Sequence, residues 1–226
     1  MIKGMKREVA KRVFSKEFNY SKFKVGGEGE KEAVYVLTPL GLRCNRLFIV
    51  GVLLEKEEVK PDSDMWRIRV ADPTGSFLGF VSKFQPEALE ALVDLNPPEI
   101  VAITAKAKLL ERGDRVIPLI RPENINSSDF QTRDYWIVET AKATLKRIRA
   151  IENGEEKAVI EKYDPDLEEF RSAVINALMK LKEEQNILEK GREFEREDKE
   201  RKEVKKDLGF EIDEEIVDLS DFDIGD

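Results

Sequence analysis

The apolar run from Leu47 to Leu54 constrains this chain more than any other stretch. It is too short and too rich in β-branched residues for a helix, and it suits a strand buried on both faces. Gly51 in its middle marks a bulge or a sharp bend, as at the corner of a barrel. The next run, Met65 to Val81, alternates. Trp66, Ile68 and Val70 fall on one face, and Arg67, Arg69 and Ala71 on the other. Asp72-Pro73-Thr74-Gly75 is a tight turn, with proline pre-setting φ and glycine free to take a positive one. Phe77–Val81 then returns as a third strand, so the three form a strongly bent meander.

The following residues complete a pattern. Pro86 to Leu95 reads as a short helix, with proline in the first turn, Leu89 and Leu92 on one side, and a stop at Asn96-Pro97-Pro98. Ile100–Leu110 and Val116–Ile120 are two more strands around an Arg112-Gly113-Asp114 turn. Five strands with a helix between the third and fourth give an all-β core: a five-stranded OB-fold barrel, a small Greek-key architecture. The expected organisation is a basic N-terminal helix and arm (1–40), the barrel (41–126), an assembly helix (127–152), a charged helical extension (153–206) and an acidic tail (207–226).

The flanking segments carry helical patterns. In residues 5–18, Ala10, Phe14 and Phe18 recur every four positions. This is either an amphipathic helix packed on the barrel or a basic arm offering Phe14, Phe18, Tyr20 and Phe23 as stacking groups. A capping box at Ser128 and Gln131 opens a later helix. From Arg133 to Arg149, Val138, Ala141, Leu145 and Ile148 repeat at three–four–three spacing, widened by Tyr135, Trp136 and Ile137. That seam, about 15 Å long by the helical rise, suits a partner-helix interface, although packing under the barrel produces the same pattern. Asn153-Gly154 ends the helix, and Asp164-Pro165-Asp166 starts another with Phe170, Val174, Ala177, Leu178 and Leu181 on one face. Beyond Lys182 charge dominates, and the stretch reads as a charged helix or as disorder.

Composition excludes several functions. The sequence has no histidine and one cysteine, Cys44. A Ser-His or Cys-His nucleophile pair, an internal disulfide and a cysteine-only zinc site are therefore unavailable. No carboxylate cluster forms a hydrolase motif, and Gly26-Gly27-Glu28-Gly29 lacks the Lys-Ser/Thr of a phosphate-binding loop. The expectation is a non-enzyme without cofactor or metal. There is no apolar run of membrane-spanning length and no secretory h-region, so the cytoplasm is the expected location. The net charge of −8 is unevenly placed. Glu211–Asp226 holds eight acids and no base, and the remaining 39 acids balance the 39 bases. Acid–hydrophobic alternation in that tail suits docking on a basic partner or groove, or on the chain's own basic face.

Binding single-stranded nucleic acid requires cations for phosphates and flat side chains for bases. If Trp66 faces the core, Arg67 and Arg69 face a groove. Phe77 and Phe80 lie on opposite faces of the third strand, and periodicity alone does not choose which is exposed. Lys83 and Phe84 follow, Lys106 and Lys108 share one face of the fourth strand, and Arg112 and Arg115 flank the next turn. The candidate DNA face is Arg67, Arg69, Phe80, Lys83, Phe84, Lys106, Lys108, Arg112 and Arg115. The candidate subunit interface is Trp136, Val138, Ala141, Leu145 and Ile148.

The segments KRVFSKEFN, YVLTPLG, NRLFIVGVLLEKE, WRIRVADPTGSF, QPEA, IRPENIN and RDYWIVETAKATLKRI, in that order, resemble the archaeal replication protein A group, its middle subunit or the similar RPA-associated protein. The resemblance covers about residues 7–150. It implies an OB-fold, single-stranded DNA binding in replication, repair and recombination, and heteromeric assembly, as a heterotrimer, through the helix after the barrel. A chain that only holds such a trimer together, while its partners grip the DNA, would look similar.

Overall fold

A computed structural model describes residues 8–27, 33–61 and 63–207, without the side chains of 198, 201 and 204–207. The chain divides into two compact units, Met1–Leu181 and Lys182–Asp226. In order come α1 (Ser15–Asn19), β1 (Phe23–Val25), β2 (Tyr35–Leu37), β3 (Arg43–Cys44), β4 (Arg46–Glu58), β5 (Met65–Asp72), β6 (Gly75–Ser82), α2 (Pro86–Asp94), β7 (Glu99–Arg112), β8 (Arg115–Ser127), α3 (Phe130–Glu152), α4 (Lys157–Tyr163) and α5 (Leu167–Asp207). The boundary between the units falls inside the stretch expected to be one charged extension, because α4 and the start of α5 pack on α3.

Five strands close into a barrel in the order β4-β5-β6-β8-β7. Only β6 and β8 are parallel. With α2 between the third and fourth barrel strands, this is an OB-fold, as the strand pattern led us to expect. Closure depends on β4. Its residues Arg46–Leu53 pair with β7, and Val52–Glu58 pair with β5. The register shifts between Leu53 and Glu55, which places the bulge at Leu54 rather than at Gly51. Gly51 meets a different need: a Cβ there would stand 2.3 Å from the carbonyl oxygen of Ala71.

The interior is filled by the inward-facing positions of each strand, including Leu47, Ile49, Ile68, Val70, Val101 and Ile103, all fully buried. Phe77 belongs to this core, and its ring lies 5.8 Å from that of Phe18. Phe80 therefore takes the outer face. Phe18 enters from α1, and Ala88 and Leu92 enter from α2, so a helix packs near each end of β6.

The N-terminal segment differs from expectation. Helix is confined to Ser15–Asn19, and before it the backbone is extended and bridges β4 in parallel. Lys11 N–H donates to the Arg46 carbonyl and Phe48 N–H donates to that of Lys11, both at 2.8 Å, so those backbone groups are unavailable to a helix. Asp72 then fixes the start of α1, accepting from Ser15 N–H at 2.6 Å and from its hydroxyl at 2.9 Å. Phe14 and Phe18 are buried and cannot stack on a ligand. Arg12 rests over the Phe48 ring at 5.4 Å.

The outer surface of β4 and β7 is apolar at Phe48, Val50, Ile100 and Ala102, and α3 covers it. The Trp136 indole N–H donates to the Phe48 carbonyl at 2.8 Å, and Phe14 meets the indole edge-on at 5.6 Å. The cap of α3 is Asp129, whose carboxylate accepts from Thr132 N–H at 2.7 Å. Ser128, expected to cap, is still held to the sheet by its N–H on the Ile100 carbonyl.

The expected interface seam is largely internal. Trp136, Ala141 and Ile148 are buried against the chain's own β4, α4 and first turns of α5, and Val138 and Leu145 are half-buried beside them. The apolar period on α3 thus answers to the barrel wall on one side and to Val174, Ala177 and Leu181 of α5 on the other. Three side chains that are already covered cannot also form a partner's contact surface.

One buried ion pair ties α1 to α3. Arg147 Nε donates to Glu17 Oε1 at 3.1 Å, and the Thr38 hydroxyl donates to the same oxygen at 2.7 Å. The Glu17 side chain is 1% exposed and that of Arg147 15%. Removing one member strands a charge away from water. Glu17→Ala is expected to cost about 3–5 kcal/mol in urea unfolding, and Glu17→Gln less, because the amide keeps an acceptor for Thr38.

Candidate nucleic-acid interface

The outward positions of the barrel form two adjoining electrostatic fields. On β5, Arg67 lies directly opposite Glu57 of β4 and Phe80 of β6, and Arg69 lies opposite Glu55 and Leu78. Each guanidinium bonds its facing glutamate. An open groove of about 290 Å³ runs over these residues. Both arginines are exposed where the alternation placed them, but neither is an uncommitted cation. The pairs themselves are solvent-exposed and hold weakly against competitors.

The wall formed by β4, β7 and β8 is different. Arg46 pairs in register with Lys106, and Lys106 with Arg121, so three basic side chains stand in a row across three adjacent strands. Lys108 follows two positions along β7. Arg46 bonds Glu123, while Lys106, Lys108 and Arg121 have no acidic partner among the described residues. Burial, followed by the charges of Lys106, Arg121 and Lys24, lowers the Lys108 ammonium below the usual lysine range. Like charges directly opposite one another destabilise a sheet, so the row costs folding energy that a bound anion would return. At the tip of the β7–β8 hairpin, Arg112 and Arg115 are also cross-strand neighbours, and both are exposed.

The parallel contact of β6 with β8 joins the two fields. Gly79 pairs with Ile120, and one step further along both strands come Phe80 and Arg121 on the outer side. At the ends of these strands Phe84 is 75% exposed, with the Lys83 ammonium 5.9 Å from its ring centre. All nine expected DNA-face residues are therefore on the outer surface. Lys106, Lys108, Arg112 and Arg115 gather on the β7–β8 hairpin, Arg67, Arg69 and Phe80 on β5–β6, and Lys83 and Phe84 beyond β6.

Arg46, Arg121 and Asn124 are absent from the sequence-based set. The sequence pattern ends the fifth strand at Ile120 and takes residues 121–126 as the lead into a helix, whereas β8 runs on through Pro118 and Pro122 to Ser127. β8 tolerates them because it meets β6 at a single paired position. The parity of Arg121, opposite Lys106, was the available signal.

Other chemistry finds little support among the described residues. No group of three or more acidic or cysteine side chains is placed to hold a metal. Burial pushes the Cys44 thiol up to about 12, which removes its nucleophilicity. No described helix is long and apolar enough to cross a membrane. The acidic tail from residue 208 onward lies outside the described residues.

Strand order and helix placement define an OB-fold protein. No family model and no curated protein matches the chain. Among solved structures it is similar to a chain of a replication protein A heterotrimer bound to single-stranded DNA, at 13% identity over 62% of this chain and 98% of that one, with a TM-score of 0.44. It is also similar to the second single-stranded DNA-binding protein of Mycobacterium smegmatis, at 13% identity over 37% of this chain and 86% of that one, with a TM-score of 0.32. The aspartyl tRNA synthetase of Entamoeba histolytica matches at 12% identity over 41% of this chain and 21% of that one, with a TM-score of 0.30.

The acid–base pairing on β4 and β5 yields a test. If the glutamates restrain the arginines, Glu55→Gln with Glu57→Gln will raise affinity for a labelled oligo-dT several-fold and steepen its salt dependence by about 1.4 in log–log slope, two released cations at ~0.7 each. An unchanged slope in fluorescence anisotropy would mean that this wall does not meet phosphates.

Proposed function

We propose that this chain is a non-catalytic, single-stranded DNA-binding subunit of an archaeal replication protein A-type complex, acting in replication, repair and recombination. One observation carries the reading: the basic row Arg46–Lys106–Arg121 with Lys108, held on a barrel wall where it costs stability and where, among the described residues, only Arg46 has an acidic partner. The order of motifs along residues 7–150 supports the same family. The phosphodiester backbone crosses β7 and β8 and meets Arg112 and Arg115 at the hairpin tip. Phe80 and Phe84 offer flat faces beside that path.

The reading predicts a salt effect. Lys106→Ala, Lys108→Ala and Arg121→Ala together will weaken oligo-dT binding and flatten the log–log salt slope by about 2, three lost phosphate contacts at ~0.7 each. Circular dichroism should show the fold retained. A slope equal to that of the unaltered protein would remove the row from the interface.

A second reading, an assembly subunit whose partners hold most of the DNA, draws on a different surface. Ile175 and Met179 on α5 are 48% and 55% exposed, beside half-buried Leu178. This strip suits packing against helices of partner subunits and takes over the role expected of the α3 seam. Replication or repair proteins binding the acidic tail would add a third kind of contact.

A further inference from the structure

At the ends of β6 and β8 lies a second concavity, of about 200 Å³, walled by Phe84, Gln85, Pro86, Glu87, Glu123 and Asn124. Its character is opposite to that of the basic row. Its lining holds two carboxylates, of which Glu123 is paired with Arg46, and no cation, so it offers phosphate no donor of its own. What it offers is a flat apolar wall and a polar floor with fixed orientation.

The wall is rigid. Gln85 N–H donates to the Ser82 carbonyl at 2.8 Å, and the Ser82 hydroxyl donates back to the Gln85 side-chain oxygen at 3.1 Å, closing the turn that carries Phe84. The floor is equally constrained. Asn124 Nδ2 donates to Glu87 Oε2 at 2.7 Å, and Asn124 Oδ1 accepts from the Thr104 hydroxyl at 3.2 Å. These bonds fix which end of the carboxamide is which. Among the described residues, Glu87 Oε1 and the second N–H of Asn124 have no hydrogen-bond partner. Glu123 is held by Arg46, the first member of the basic row, so pocket and row share one ion pair.

We propose that this pocket is a base-reading subsite: a nucleobase of the bound single strand stacks on Phe84 and presents an exocyclic amino group to Glu87. The inference rests on the DNA-binding reading above. A carboxylate accepts from an amino donor, as glutamate does from cytosine N4. Thymine places a carbonyl oxygen where cytosine or adenine carries that amine, and the Glu87 carboxylate repels it. The subsite therefore favours cytosine and adenine over thymine. The neighbouring row takes phosphates of any sequence.

The test compares short labelled oligo-dC and oligo-dT of equal length by anisotropy, using the full chain, Phe84→Ala, Glu87→Gln and the triple row variant. Glu87→Gln keeps the bond from Asn124 to its oxygen and turns the free oxygen into an N–H donor. The unaltered chain should favour oligo-dC by about fivefold or more, and Glu87→Gln should move the ratio toward oligo-dT. Phe84→Ala should weaken both by about tenfold, the loss of one stacked base, while Phe84→Trp retains them. If the two oligonucleotides keep the same ratio in every variant while the row variant loses binding, the pocket is not used and the DNA-binding reading stands. If the unaltered chain binds neither at low salt, both fall.

Discussion

The barrel is hydrogen-bonded along four of its seams by extended antiparallel ladders and along the fifth, between β6 and β8, by one paired position. Closure there depends on side chains and on what lies across the gap. Both α1 and α2 contact both strands. The buried carboxylate of Glu17 anchors α1 through Arg147 to the long helix that covers β4 and β7. A small barrel with one weakly paired seam thus becomes a fixed surface because helices outside it hold that seam from both ends.

Sheet alternation explains why one wall supports packing and its continuation supports binding. Along β4 and β7 the same outward face begins apolar, under Trp136 and Ile137, and ends basic at Arg46, Lys106 and Lys108. The change occurs where the α3 footing stops. Around the circumference, arginines opposite glutamates give way to lysines opposite arginines. Net charge is blind to this. A barrel with nearly equal numbers of acids and bases sets Glu55 and Glu57 against the arginines of β5, and leaves Lys106, Lys108 and Arg121 on β7 and β8 without an acid among the described residues.

Much of this was legible in the sequence. The run Leu47–Leu54, the alternation through Arg69 and the helix at Pro86 led to the barrel, and the outward positions of Arg67, Lys106 and Lys108 followed from parity. Three features were not legible because they depend on what packs where. The N-terminal periodicity suggested a longer helix, but backbone bonds to β4 and Asp72 hold residues 8–14 extended. The α3 seam repeats like an interface and is covered by the chain's own α5, since periodicity reports that a face is buried and not by what. Residues 121–126 read as the lead into a helix but continue β8, so the pattern did not place Arg121 beside Lys106.

The parallel run of β6 beside β8 has a metric consequence. Phe80 and Arg121 each lie one residue beyond the paired Gly79 and Ile120 in the same direction, about 3.3 Å further along two adjacent strands. A cation and an aromatic side chain are thereby set side by side on neighbouring strands, about 4.8 Å apart, by backbone geometry alone. Both Phe80 and Arg121 belong to strands, so that interval does not depend on loop conformation. Any ligand that uses both must have a repeat that fits it, which makes the barrel a gauge of polymer spacing as well as a charged surface.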